Sequence, residues 1–138
     1  MANAIYDLYK QELMKGTSNN LLNSAEGTTG VYCALVDTGT YTFSQSHQFY
    51  SSLSGVVGTD QEILTKTQTA GVFDGTDLTY TAVSGASVET LVLYRKNAGA
   101  NTTWPLIAYI DTGVTGLPVT PNGGNITVTW NASGIIKL

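Results

Sequence analysis

From residue 31 onward, turn signals cut the chain into short runs of strand character, and this punctuation constrains the fold more than any other feature. The runs are VYCALVD, EILTKTQT, DLTYTAV, SVETLVLYRK, WPLIAYID, NITVTW and GIIKL. Between them stand DGTD, NAGANTT, TGLPVTPNGG and NASG, clusters of Gly, Asn, Asp and Pro that reverse a chain. Seven short candidates of this kind predict a mainly β protein, an antiparallel β-sandwich of jelly-roll type with about seven to eight strands.

Two of the runs indicate their own place in a sheet. In SVETLVLYRK, Val88, Thr90, Val92 and Tyr94 alternate with Glu89, Leu91, Leu93 and Arg95. Both faces are apolar in the middle, so this strand is expected to be central. NITVTW sets Ile126, Val128 and Trp130 on one face and Thr127 and Thr129 on the other, the one-sided pattern of an outer antiparallel strand. The composition agrees: 42% hydrophobic, only 12% charged and 15 glycines, with much of the polarity carried by Thr, Ser and Asn. A chain of 138 residues fits one domain that buries about two thirds of its unfolded surface.

The N-terminal segment reads differently. Asn3 can cap a helix in which Ile5, Leu8, Tyr9 and Leu13 recur at helical spacing, and Gly16 stands where a left-handed stop is expected. The following TSNNLLNSAEGTTG has no periodicity. Residues 1–30 are therefore expected to form a helical arm on a tether, and residues 31–138 the sandwich domain. The apolar stripe of the arm must find a surface, on its own domain or on another subunit. In the second case Ile5, Tyr6, Leu8, Tyr9 and Leu13 would be its anchors. Within SQSHQFYSSLSGVVGT, Phe49, Tyr50 and Leu53 suit a short crossover helix stopped by Gly55.

A net charge of −4 argues against a surface that neutralises phosphates, and Arg95-Lys96 alone is far too small a basic patch, so nucleic acid is not an expected partner. Cys33 is the single cysteine and reads as a small buried hydrophobe. MANAIYDLYKQELMKG lacks the basic start and unbroken apolar core of a signal peptide, and no apolar run approaches the ~18 residues of a membrane span. No membrane association is expected. The Asn-x-Ser/Thr triplets at Asn101, Asn125 and Asn131 read as turn and strand-end chemistry.

Asp-Thr-Gly occurs twice, as Asp37, Thr38, Gly39 and as Asp111, Thr112, Gly113, each after apolar residues. This is the local signature of aspartic proteases, in which two such loops face each other across a shared proton. The two triplets stand too close in sequence for a two-lobed enzyme. The retroviral type uses one triplet per chain in a homodimer, and ALVDTG resembles it, but the supporting apolar-apolar-Gly strand and helix downstream are missing. The simpler reading is a tight reversal in which Asp bonds backbone N–H groups and Gly takes positive φ. His47 is the only histidine and reads as a helix-turn residue, with no partner for a zinc site or a Cys–His dyad. The DGTD of Asp74 to Asp77 lacks the further ligands of a calcium loop and reads as a hairpin turn. No catalytic residue, metal or cofactor is expected. Trp104 and Trp130 could mark a carbohydrate or protein contact, core or edge packing being the commoner fate of such residues, and Trp104, Tyr109, Leu117 and Pro118 are the alternative exposed contact surface.

The opening MANAIYDLYKQELMKG, the block VYCALVDTGTYTFSQSHQFYSSLSGVVGT and the closing LIAYIDTGVTGLPVTPNGGNITVTWNASGIIKL resemble small virion proteins of tailed bacteriophages. The resemblance covers most of the chain and rests on the order of the blocks. It implies a structural particle component, foremost a capsid decoration (cement) protein. Such a protein is made in the host cytoplasm, sits on the outer surface of the shell, binds the major capsid protein and is a trimer or dimer of itself. A tail, neck or receptor-contacting module is the alternative the resemblance leaves open.

Overall fold

The computed structural model describes residues 3–16, 22, 25–27 and 29–138. It is mainly β. The strands are β1 (Ala4–Ile5), β2 (Val31–Val36), β3 (Val56–Glu62), β4 (Thr67–Thr69), β5 (Val72–Asp74), β6 (Leu78–Tyr80), β7 (Thr90–Arg95), β8 (Leu106–Ile110), β9 (Ile126–Val128) and β10 (Ile136–Lys137), with one α-helix, α1 (Asp7–Lys15). All pairings are antiparallel, in a five-stranded sheet ordered β1-β8-β7-β2-β3, a three-stranded sheet β10-β5-β4 and the pair β6-β9. A jelly roll folds eight strands into two sheets, whereas the described strands divide five, three and two.

The five-stranded sheet is buried on both faces, which is why VYCALV is apolar without alternation. Val31, Cys33 and Leu35 of β2, with Leu91 and Leu93 of β7, face a core completed by Phe73, Leu78, Tyr80, Val128 and Ile136 of the smaller sheets. This gives the sandwich-like body. Ala34, Val36, Val92, Leu106 and Tyr109 face the other way, against Tyr6, Tyr41, Phe43, Tyr50 and Leu53. That second layer is supplied mostly by the segment between β2 and β3, which contributes no strand of its own to the large sheet. β7 is central, as its two apolar faces predict, with β2 and β8 beside it. β9 keeps Ile126 and Val128 buried and Thr127 exposed, as its one-sided pattern predicts.

The N-terminal expectation needs correction. Gly16 ends α1 in the left-handed region at φ 68°, but Asn3 does not cap it. Tyr6 is the N-cap residue, and Asn3 Oδ1 instead accepts the Asp111 and Thr112 N–H groups at 2.8 and 3.0 Å. Ala4 and Ile5 then add a strand to β8. Tyr6 and Tyr9 are 0% and 1% exposed, each in a different core layer, and Ile5 and Leu13 pack against the inner one. Residues 3–16 are thus part of the domain and not a separate arm. Residues 17–21, 23, 24 and 28 of the expected tether lie outside the described residues. Glu26 and Gly27 are tied to the body, the first accepting the Thr65 N–H at 2.7 Å and the second donating to Glu62 at 2.8 Å.

Two further expectations shift. The crossover helix is a single 3-10 turn at Tyr50–Ser52, and the run VVGTDQE that follows it is β3, because the left-handed Gly55 (φ 64°) lets the chain turn back into the sheet. DGTD is not a hairpin: β5 and β6 lie in different sheets, and the segment crosses between them, with Asp77 accepting the Trp130 N–H at 3.0 Å.

Candidate functional site

The Asp-Thr-Gly triplets come to the same end of the large sheet, since β2 and β8 flank β7 in the same direction. Each is engaged in the fold. Asp37 accepts the Gly39 N–H at 2.7 Å and the Thr40 hydroxyl at 2.8 Å, so its carboxylate closes its own turn. Thr38 donates through its N–H and its hydroxyl to Glu89, which stands beside it on the chain leading into β7. At the second triplet the bonds run to Asn3. Gly113 takes φ 78° as a reversal requires, whereas Gly39 lies outside the left-handed region. Among the described residues no group of three or more His, Cys, Asp or Glu side chains could hold a metal ion.

His47 lies in a turn of the outer layer rather than in a helix, its N–H bonded to Ser44 O at 3.1 Å. Its Nδ1 meets the Tyr41 hydroxyl at 2.8 Å, and that hydroxyl meets Tyr6 at 2.9 Å. Burial pushes both phenols above their ordinary value. The chain of bonds joins the N-cap of α1 to the outer layer.

A pocket that sequence reasoning did not anticipate forms on the outer face where β2, β3 and β7 meet. Tyr32 and Tyr94 are register partners on β2 and β7, with ring centroids 5.9 Å apart. Tyr50 tilts against Tyr94 at 4.5 Å and against Trp104 at 5.4 Å, and Trp104 lies parallel to Tyr94 at 5.8 Å. Trp104 is held by its indole N–H on Gly99 O at 3.0 Å. Lys96 places its ammonium 5.0 Å from the Tyr32 centroid and 5.2 Å from that of Trp104, a cation over two π faces.

Asp60 reaches this site through a bulge. Leu35 pairs with Val57 and Cys33 with Gln61, so Gly58 to Asp60 all stand opposite Ala34. Gly58 takes φ 73° there, and the bulge re-aims the next side chains. Asp60 Oδ2 accepts the Tyr50 and Tyr94 hydroxyls, each at 2.8 Å. Its Oδ1 is buried and accepts no hydrogen bond from the described residues. Burial raises the Asp60 carboxyl above its usual range, against the opposing pull of the two phenol bonds and of Lys96. These groups line a cavity of about 320 Å³.

The surface anticipated from Trp104, Tyr109, Leu117 and Pro118 does not assemble. Trp104 belongs to the aromatic pocket, half-buried. Tyr109 is buried under Phe43 at 4.7 Å. Leu117 packs against the inner core, and Pro118 is exposed after a cis peptide bond. Asp60, Tyr32, Tyr50, Tyr94 and Lys96 were missed because a bulge and a 3-10 turn bring them together, and neither leaves a period in the sequence. No known family model matches the chain, and no curated protein matches it. Among the described residues no helix is long and apolar enough to cross a membrane.

Proposed function

We propose that the chain is a structural protein of a tailed-bacteriophage particle, acting as a capsid decoration protein on the outer surface of the shell. The observation that carries this reading is that both Asp-Thr-Gly triplets are tied into a mainly β body, the first through the Asp37 and Thr38 side chains and the second through the Thr112 hydroxyl and the backbone N–H groups of Asp111 and Thr112. The resemblance of its sequence blocks to those of phage virion proteins supports the same reading. A protein of this kind works by adding interface across the joints of a shell under pressure from packaged DNA. Modest contacts suffice, because a dimer or trimer engages several shell subunits at once and gains effective concentration from the linkage. Because Tyr6 and Tyr9 are committed to the chain's own cores, the contact with the major capsid protein falls to exposed surface. Met14, Leu64 and Leu138 are the large apolar side chains exposed among the described residues. Leu64 precedes β4 and Leu138 follows β10, the two edge strands of the three-stranded sheet.

Particles made without the protein should assemble yet lose DNA at lower temperature, and adding the purified protein back should restore them at a saturating stoichiometry. Depleted particles that are equally heat-stable but fail to adsorb to cells would place the protein in a tail or receptor-contacting role instead. Peptide cleavage abolished by Asp37→Asn or Asp111→Asn would replace both readings with the protease.

A further inference from the structure

The three-stranded sheet ends in a strand whose outer edge pairs with no described residue. Thr67, Gln68 and Thr69 of β4 are all exposed. β4 returns into β5 through Ala70 and Gly71, both at positive φ, 52° and 78°, the two-residue type I′ loop of a tight hairpin. Residues flanking such a loop form a hydrogen-bonded pair, here Thr69 with Val72, and Thr67 with Asp74 forms the next. Gln68 between them therefore turns its N–H and C=O away from β5. Its register partner Phe73 agrees with this alternation, spending its carbonyl on the Ile135 N–H beside β10 at 2.8 Å.

Free strand edges invite pairing, and proteins that stay monomeric blunt them with bulges, charges, Pro or a covering group. The other ends of the two larger sheets are blunted in these ways. β3 carries the bulge that begins at Gly58. β1 is two residues long, and the Gln45 side chain donates to its Ile5 carbonyl. β10, also of two residues, carries the exposed Lys137. β4 has none of these devices. Its nearest charge, Lys66, is folded inward, with the side chain 4% exposed and the ammonium 3.4 Å from Glu26. Thr65 and Ala70 bracket the strand at positive φ, 51° and 52°, a conformation that costs free energy in residues other than glycine.

Charge and sequence symmetry decide the occupant. With Lys66 paired to Glu26, the edge offers no free charge to an acidic or basic strand and repels nothing in a copy of itself. Thr67-Gln68-Thr69 reads the same in both directions, so an antiparallel copy sets Gln opposite Gln and Thr opposite Thr, the latter a favourable cross-strand pair. We propose that β4 pairs with β4 of a second copy across a two-fold axis at Gln68, joining two three-stranded sheets into one continuous sheet. Gln68 exchanges both of its outward backbone hydrogen bonds with the partner's Gln68, the self-complementary contact that a two-fold interface requires. The partner's hairpin turn then reaches the end of β4 that follows Leu64, which is 42% exposed. So short an edge makes a reversible dimer. The pairing goes beyond the virion reading and does not rest on it.

Sedimentation velocity of the full chain from ~10 µM to ~1 mM should show a monomer–dimer equilibrium. Gln68→Pro removes the outward N–H and no bond of the chain's own ladder, so circular dichroism should be unchanged while the dimer weakens at least about tenfold. Gln68→Lys sets like charges across the axis and should weaken the dimer in a way that added salt reverses. It serves if Gln68→Pro fails to fold. Mixed in equal amounts with Gln68→Glu, it should associate again, because opposite charges then meet at the axis. A chain that stays monomeric throughout overturns the proposal and leaves the edge to a strand of another protein. A trimer overturns it as well, since a two-fold contact at β4 closes on pairs alone. So does a dimer that neither Gln68→Pro nor Gln68→Lys weakens, which would place the contact on another surface.

Discussion

Single residues in this protein carry opposite kinds of burial. Cys33 is fully buried, and burial pushes its thiol up to about 12, so both access and thiolate fraction are suppressed. Labelling by a disulfide reagent at neutral pH should therefore follow the unfolding rate; a fast stoichiometric reaction of the native protein would contradict this. Asp60 is buried as a potential charge. Because burial raises its carboxyl above the ordinary 3.8, the folded state holds that proton more tightly than the unfolded chain does. Its contribution to stability is then fully present below about pH 3.8 and is lost as pH climbs through the raised native value. Tyr32, Tyr50, Tyr94 and Lys96 line the same pocket as Asp60, and Cys33 and Tyr80 also feel its charge from the inner side. Asp60→Asn removes this titration, so in urea unfolding across a pH series the variant should gain on the parent from pH ~3.5 to ~7. A difference that does not change with pH would show that the carboxyl titrates normally.

At the level of elements, the N-terminal segment sets the clearest expectation. β1 pairs with β8, Asn3 bridges to the second triplet, and Tyr6 and Tyr9 enter separate core layers. Truncating one such aromatic costs about 3–5 kcal/mol, and losing both approaches the whole stability of an ordinary domain, about 5–15 kcal/mol. Tyr9→Ala should fold with its urea midpoint much reduced, and deletion of residues 1–15 should abolish the cooperative melt seen by circular dichroism. A truncated chain that melts like the parent would restore the independent arm that the helical spacing suggests. The same helical periodicity serves both outcomes, since a stripe that fits a partner also fits a sheet edge in its own chain.

The whole molecule is organised around a sheet shared by two cores. Leu91 and Leu93 face one core and Val92 and Tyr94 the other along a single strand, so the two cores share an element and are expected to melt together. Trp104 reports on the outer layer and Trp130 on the inner one. Fluorescence melts of Trp104→Phe and Trp130→Phe, each normalised to its own midpoint and compared with circular dichroism, should each show one transition that coincides with loss of β structure. An early transition at Trp104 alone would mean that the outer layer detaches as a unit of its own.

The sequence by itself determined the mainly β class, the central place of β7, the one-sided β9 and the stop of α1 at Gly16. These depend on alternation along one strand or on the backbone freedom of one glycine, and such signals are local. The tertiary structure alone decided the rest. β1, β4, β5 and β10 are two or three residues long, too short to show a period, and β1 and β5 went unseen in the sequence. β3 was obscured because its bulge breaks alternation between Val57 and Gln61. The same bulge brings Asp60 to Tyr50 and Tyr94, residues distant in sequence that only the packed sheet makes neighbours. Whether Tyr6 and Tyr9 would serve a partner or their own domain also depended on the surface they met, and the chain's own β8 and outer layer reached them.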